Sequence, residues 1–460
     1  MKSVLPLAGL IFLAGIFRAD AQTFAYASLH IFSVTSGSPP TNYDGTSPRG
    51  TLLLTSNVLY GMTDLGGVSN CGTIFKLNAD GTGFTTLYNF TNGVDGANPG
   101  TGNLLISSSN WLFGVTGFGG TNTPRRGAVF RVNLDGTGFT NLYSFHGLDG
   151  QNPSAGLTIS GNTLYGTTYG GGGVGKHGTV FKINTDGSGF TNLYAFSGAD
   201  GASPTAPLLL SGDTLYGTTM HAGTNVAAGS VFRINTDGNA FTNLYSFTNG
   251  LDGSWPVGPL VLSNNVLFGG TTAGGISNIG TIFKVNTDST GFAPIHQFTG
   301  QYDGGQQVGG LILFSNQLYG AAFVGFTNFG NIYRMNTDGS GFTNIYQFTG
   351  GSDGAGPEGT LLLSGNTFFE TAVVGGSAYT TNGNGTVFAL TFPVTLNLTQ
   401  SAGNLTVSWP SPSTGFNLQT NGNLASGNWA NYGTPTDDGT NKGVVISPSS
   451  GDLFFRLSHL

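Results

Sequence analysis

The segment GTVFKINTDGSGFTNLYAF, from Gly178 to Phe196, recurs in near copies along this chain. Aligned on its first aromatic, the copies centre on Phe75, Phe130, Phe181, Phe232, Phe283, Tyr333 and Phe388, at intervals of roughly fifty residues. A chain written this way must fold as an array, because each unit can bury its apolar faces only against its neighbours. Each copy carries four strand-like runs and none with helical i, i+3, i+4 spacing. In the third copy these are residues 155–160, 162–168, 178–184 and 190–196, here strands A, B, C and D. Four short strands per repeat are what a propeller blade requires. The expected fold class is therefore all-β, a seven-bladed β-propeller over residues 26–391.

Strands A, B and C occur seven times, but strand D follows strand C only six times. The missing D-like run, YASLHIF, lies at residues 26–32. The expectation is that this N-terminal strand completes the last blade and closes the ring. The A–B and C–D links are short, and NTDGSG has the Asn, Asp and Gly of a tight hairpin. The B–C links are Gly-rich and vary most. In an up-and-down blade the B–C and D–A links emerge together, so the variable loops should share one face.

The ends differ from the repeat. Lys2, an apolar run from Val4 to Phe17 and then Ala19-Asp20-Ala21 follow the order of a secretory signal peptide, placed at residues 1–21 with cleavage before Gln22. The apolar run is too short for a spanning helix, and no later segment is long and apolar enough. The expected location is outside the cell or at its surface, with the periplasm as the alternative. Residues 394–460 lack the repeat; their alternating runs between turn clusters suggest a small C-terminal β domain, sandwich-like. A single cysteine, Cys71, excludes an internal disulfide. The formal net charge is −7 and the basic residues form no patch, so nucleic acid is not an expected partner. A monomer is expected.

The cycle of DG, LYGTT, GG and GTVFK over residues 27–391 resembles the GloVer tandem-repeat family of exported bacterial proteins, some of which end in a sorting anchor. The end of this chain, with VSWP, FNLQTNGNLASGNW and FFRL, is instead similar to a small C-terminal module of other exported bacterial proteins. The resemblance implies a repeat fold and export. It transfers no catalytic residue.

Only 8% of residues are charged, so the charges can be sorted. Asp80, Asp135, Asp186, Asp237, Asp288 and Asp338 sit in the C–D hairpins, where Asp makes turns on its own backbone. Asp44, Asp95, Asp149, Asp200, Asp252, Asp303 and Asp353 sit in the D–A links. These are expected to pair with the strand C bases, such as Lys182 and Arg233, since a partly buried charge needs a partner. The other reading is a ring of carboxylates that binds calcium. Against it, each link brings one carboxylate where calcium loops bring several.

Non-repeating residues leave little for chemistry. Glu358 and Glu370 are the best carboxylate pair for a glycosidase. His177 and His221 lie in adjacent B–C loops without a third metal ligand. GGGGVG at residues 170–175 lacks the strand-to-helix context of a phosphate loop. Binding is better supported. Phe118, Tyr169, Trp255, Phe323, Phe326 and Tyr379 fall on the variable face among Asn, Ser and Thr, the residue types of sugar and protein contacts. The expected function is non-catalytic: a binding or interaction propeller for a glycan or a surface protein, with no cofactor. Two alternatives stand beside it. One is a carbohydrate-active hydrolase or lyase with its site at the channel mouth; the other is a purely structural surface or matrix component.

Overall fold

The computed structural model describes residues 24–33, 42–100, 102–107, 110–173, 175–221, 228–325, 329–376, 384–392, 396–401, 404–410, 416–421, 428–437, 441–446 and 454–459. The expected signal peptide, Phe326 and Tyr379 lie outside them. Among the described residues all regular structure is strand, arranged in small antiparallel sheets, six of which take four strands in chain order. In the third repeat strand A is Thr158–Ser160, B is Thr163–Thr168, C is Thr179–Asn184 and D is Thr191–Ala195. Strand A is shorter than the sequence suggests, because residues 155–157 approach the sheet as an irregular run. The first six repeats repeat this order. In the seventh, Leu362–Ser364, Thr367–Val374 and Thr386–Thr391 are completed by the N-terminal strand Ala25–Ile31. The two ends of the repeat region are thus hydrogen-bonded in one sheet, which removes two open edges.

Successive sheets are joined by apolar cores. Period-two alternation gives each strand two apolar faces, one for each neighbouring sheet. Tyr165, Val180 and Phe196 of the third sheet pack on Leu208, Leu215, Phe232 and Ile234 of the fourth. The seventh sheet packs on the first in the same way, through Phe369 and Val387 against Leu52, Leu59 and Phe75. An aromatic staple accompanies each of these cores. The strand D aromatic of one sheet stacks on the aromatic that precedes strand D in the next, as in Tyr194–Phe241 at 3.9 Å and Tyr245–Phe292 at 3.4 Å. Across the closure His30 stacks on Phe84 at 3.6 Å, and Tyr26 on Tyr346 at 4.5 Å. Each such pair contributes about 0.5–1.5 kcal/mol beyond the area it buries.

The hairpin Asp residues do what the turn chemistry predicts. Asp186 Oδ1 accepts from the Ser188 amide at 2.9 Å and from its hydroxyl at 2.6 Å. The D–A Asp residues do not meet the strand C bases, and that expectation is corrected. Their partner is the stapling aromatic itself. Tyr194 donates to Asp200 at 2.5 Å, Tyr245 to Asp252 at 3.0 Å and Tyr346 to Asp353 at 3.0 Å. His30 and His296 stand in for tyrosine against Asp44 and Asp303, at 3.3 and 3.2 Å. Asp252 also accepts from the amide and hydroxyl of Thr248, at the start of its own link. The strand C bases turn elsewhere: Arg233 donates to the Thr287 carbonyl, and Arg131 lies over the Trp111 ring.

Residues from Asn397 onward form two further sheets, one of four strands and one of three. They share a core of Val407, Trp409, Leu418, Val444 and Ile446 that contains no residue of the repeats.

Candidate functional site

The B–C and D–A links meet on one face and are tied there by backbone pairs. Ala97 pairs with Phe118, Gln151 with Gly170, Ala202 with His221, Ser254 with Ala273 and Gly305 with Val324. The glycine that opens strand C makes this junction tight. Gly178 has a φ of +97°, and a Cβ there would lie 2.3 Å from the Thr168 carbonyl oxygen. Only glycine combines that conformation with that approach. The variable loops are therefore carried on a fixed base.

Of the aromatics picked out on this face, Phe118 is 51% exposed, Tyr169 41% and Trp255 38%. Phe323 is half-buried and leans against Gly356. Trp255 is distinctive. It occupies the residue before the D–A proline, where other repeats place Ser47, Asn98, Asn152, Ser203, Gln306 and Gly356, and its φ is +58°. A bulky side chain in the left-handed region is uncommon and strained, and such strain concentrates at functional sites. Trp255 borders a cavity of about 430 Å³ with Asn249, Thr272, Ala273, Asn278 and Gln306. One indole face among amides and a hydroxyl can stack on a ring while the amides bond its edge.

A second cavity, of about 270 Å³, lies where the strand A approaches of the repeats converge. One sector is charged. Arg49 and Glu358 each follow a D–A proline, in the first and seventh repeats, and ring closure makes them neighbours. Arg49 Nη1 donates to Glu358 Oε2 at 3.1 Å. Burial raises the Glu358 carboxyl, Arg49 draws it back, and Asp64 raises it further. Burial likewise raises Asp64 against the pull of Arg49. Pro207, Val257, Pro259 and Val308 form the apolar wall.

Glu370 lies behind Gly359, on the charged side of the cavity. It takes the place held by Gly61, Gly114, Gly166, Gly217, Gly269 and Gly320 in the other repeats. A Cβ on Gly359, which lines the cavity, would touch Glu370 Cγ at 3.4 Å. Glu370 is wholly buried, and neither carboxylate oxygen has a hydrogen-bond partner. The Gly359 amide faces the carboxyl but falls outside hydrogen-bonding geometry. Burial drives its carboxyl well above the usual range. The structure thus brings Glu358 and Glu370 together beside Gly359 and adds Arg49 and Asp64, which sequence reasoning did not pair with them. The signal that could have found them is departure from the repeat at equivalent positions. His221 pairs its backbone with Ala202, and burial lowers its imidazole. Among the described residues no group of three or more His, Cys, Asp or Glu is placed to hold a metal ion.

The Gloeobacter/Verrucomicrobia repeat family matches residues 14–176 and 123–329. No curated protein matches the chain. Among solved structures, an oligogalacturonate lyase in complex with manganese is 12% identical, with 81% of this chain and 97% of that one covered and a TM-score of 0.47. A chain of a nidogen/laminin complex is 12% identical over 63% of this chain and 93% of its own, with a TM-score of 0.40. TolB from Acinetobacter baumannii is 14% identical over 61% of this chain and 60% of its own, with a TM-score of 0.37.

Proposed function

The chain belongs to the Gloeobacter/Verrucomicrobia repeat family, and from that premise we propose that it is an exported, non-catalytic binding module. In this reading it is a seven-bladed β-propeller closed by its N-terminal strand and followed by a small β domain. It acts outside the cell or at its surface, and its working surface is the loop face. The ligand is a glycan.

The observation that carries this reading is Trp255. The chain holds an indole in a left-handed backbone conformation that other repeats give to Ser, Asn, Gln or Gly. It sets that indole, half-exposed, beside a cavity edged by Asn249, Thr272, Asn278 and Gln306. Core packing does not need a strained, exposed tryptophan. The test is a glycan-array and protein pull-down screen of the chain from Gln22 onward. Trp255→Ala should cut the signal at least about tenfold, as loss of a central aromatic anchor does. A ligand held equally well by Trp255→Ala and by Tyr169→Ala would remove the loop face from consideration.

A second reading is favoured by one observation. Glu358 and Glu370, brought together beside Gly359, are both raised by burial, as a general acid in a carbohydrate-active hydrolase or lyase would be. Release of reducing ends from a polysaccharide panel, lost in Glu358→Gln, would establish it.

A further inference from the structure

Deeply buried polar atoms are almost always satisfied by protein or by something bound. Around the channel mouth several have no protein partner. Arg49 Nε, Ser154 Oγ, Thr205 Oγ1 and both carboxylate oxygens of Glu370 are each buried without a hydrogen bond. Arg49, Ser154 and Thr205 line the same cavity of about 270 Å³, and Glu370 stands directly behind its Gly359 wall.

Repeat geometry explains how they gather. Arg49, Ser154, Thr205 and Glu358 all follow the D–A proline of their repeats, so one sequence position, read round the ring, becomes one belt around the channel. Val257 and Val308 hold the same position in the fifth and sixth repeats. With Pro207 and Pro259 they make the opposite sector apolar. The belt therefore has a polar arc and an apolar arc.

We propose that this channel mouth is a second binding site, distinct from the Trp255 cavity, and that it takes one neutral polyhydroxylated ring, a single sugar residue. The chemistry of the unpaired set selects the class. Arg49 Nε is a donor only, and the Ser154 and Thr205 hydroxyls are both donors and acceptors. An anion would meet Glu358 and Asp64. A cation would leave Arg49 Nε unserved. Sugar hydroxyls donate and accept, and the C–H face of the ring suits the Pro207, Val257 and Pro259 arc. The cavity lies just below the roughly 300–1,000 Å³ of sites for drug-sized ligands, which limits the occupant to about one ring. The ligand class rests on the glycan reading above; the existence of the site rests on its unpaired atoms.

The experiment uses the chain from Gln22 onward with methyl glycosides of glucose, galactose and mannose, and with glucuronate and methylammonium as charged controls. Binding is read by calorimetry and saturation-transfer NMR. At least one glycoside should bind, and more tightly than either charged control. Ser154→Leu and Thr205→Leu, which fill the cavity, should abolish that binding. Glu370→Gly installs the residue that the other repeats tolerate, so folding is retained. Because Glu370 stands behind Gly359 and does not line the cavity, this variant should bind as the native chain does. Glu370→Gln should bind as the native chain does. Thermal unfolding of each variant checks the fold.

The inference is overturned if no glycoside binds, if a charged control binds more tightly, or if binding survives both leucine variants. Trp255→Ala separates the two readings. Glycoside binding lost in Trp255→Ala and untouched by the leucine variants sinks the channel site and keeps the loop-face reading. The reverse pattern keeps the channel site and sinks the loop-face reading.

Discussion

The sixth and seventh repeats both place a polar side chain where the other repeats have none, and they treat it in opposite ways. In the sixth, Gln307 replaces the D–A proline and Tyr333 replaces the strand C phenylalanine. Tyr333 donates to Gln307 Oε1 at 2.5 Å, and Gln307 Nε2 donates to the Gly309 carbonyl at 2.8 Å. Room for this comes from Gly270, where the third and fourth repeats have Thr167 and Thr218; a Cβ on Gly270 would lie 2.2 Å from Gln307 Cγ. Three departures therefore answer one another, and every polar group they bury on Gln307 and Tyr333 is partnered. In the seventh repeat Glu370 replaces a glycine, and nothing answers it. A departure that is compensated in place reads as structure. One left unpaired beside a cavity reads as a site.

The largest effect should come from breaking the compensated set. Gly270→Thr alone forces a side chain into Gln307 and should destabilise by about 3 kcal/mol, the upper range for overpacking. Combined with Gln307→Pro and Tyr333→Phe it rebuilds the common repeat, so the triple variant should lose much less than the sum of the singles. Urea unfolding of the singles and the triple decides this. Strict additivity would mean that the three positions are not a coupled unit.

Glu370→Gly should act in the other direction. Removing a buried carboxyl without partners should stabilise at neutral pH by about 1–3 kcal/mol. A drop in the unfolding midpoint would show that Glu370 is satisfied within the protein, and the contrast between the repeats would disappear.

The same pair of chains predicts a pH dependence. The folded Glu370 carboxyl is raised, so it keeps its proton where the unfolded chain has released it. Its contribution to stability is fullest below the unfolded value of about 4.3 and is lost as pH rises. The gap between Glu370→Gly and the native chain should thus widen from about pH 4 towards pH 8. Three of the D–A carboxylates have the opposite sign. Burial alone would raise Asp44, Asp149 and Asp303, but the hydrogen bonds they accept outweigh it and hold them low. Their stabilisation is present above about pH 3.9 and is lost as pH falls through the depressed values. An identical pH profile for both chains would sink the assignment of Glu370.

The smallest effect should come from a staple. Tyr245→Phe keeps the stack on Phe292 and loses only the bond to Asp252, about 1 kcal/mol. A loss several times larger would mean that the Tyr–Asp bond, rather than the stack, joins neighbouring sheets.

Much of this was legible in the repeat. The four strands, the hairpin Asp turns and the N-terminal strand at residues 26–32 all follow from local patterns copied along the chain. The strand D tyrosine and the D–A aspartate were legible only as separate regularities, because their bond joins residues such as Tyr194 and Asp200 across a turn whose course the sequence does not give. The assignment of those aspartates to strand C bases failed for that reason. Glu358 and Glu370 could be chosen as the best carboxylate pair, but not their surroundings.

The sequence alone determined the unit: period-two strands with two apolar faces can only stack on one another, and turn chemistry sets the corners. Tertiary structure decided which departures matter. Arg49 and Glu358 lie at opposite ends of the repeat region and meet only because Ala25–Ile31 closes the last sheet. Glu370 is one letter in a strand until the seventh sheet packs on the sixth and shuts its carboxyl away from water. Burial and pairing are properties of neighbours brought together by the fold, and so the chemistry of this cavity is written in the assembled sheets and not in the repeat.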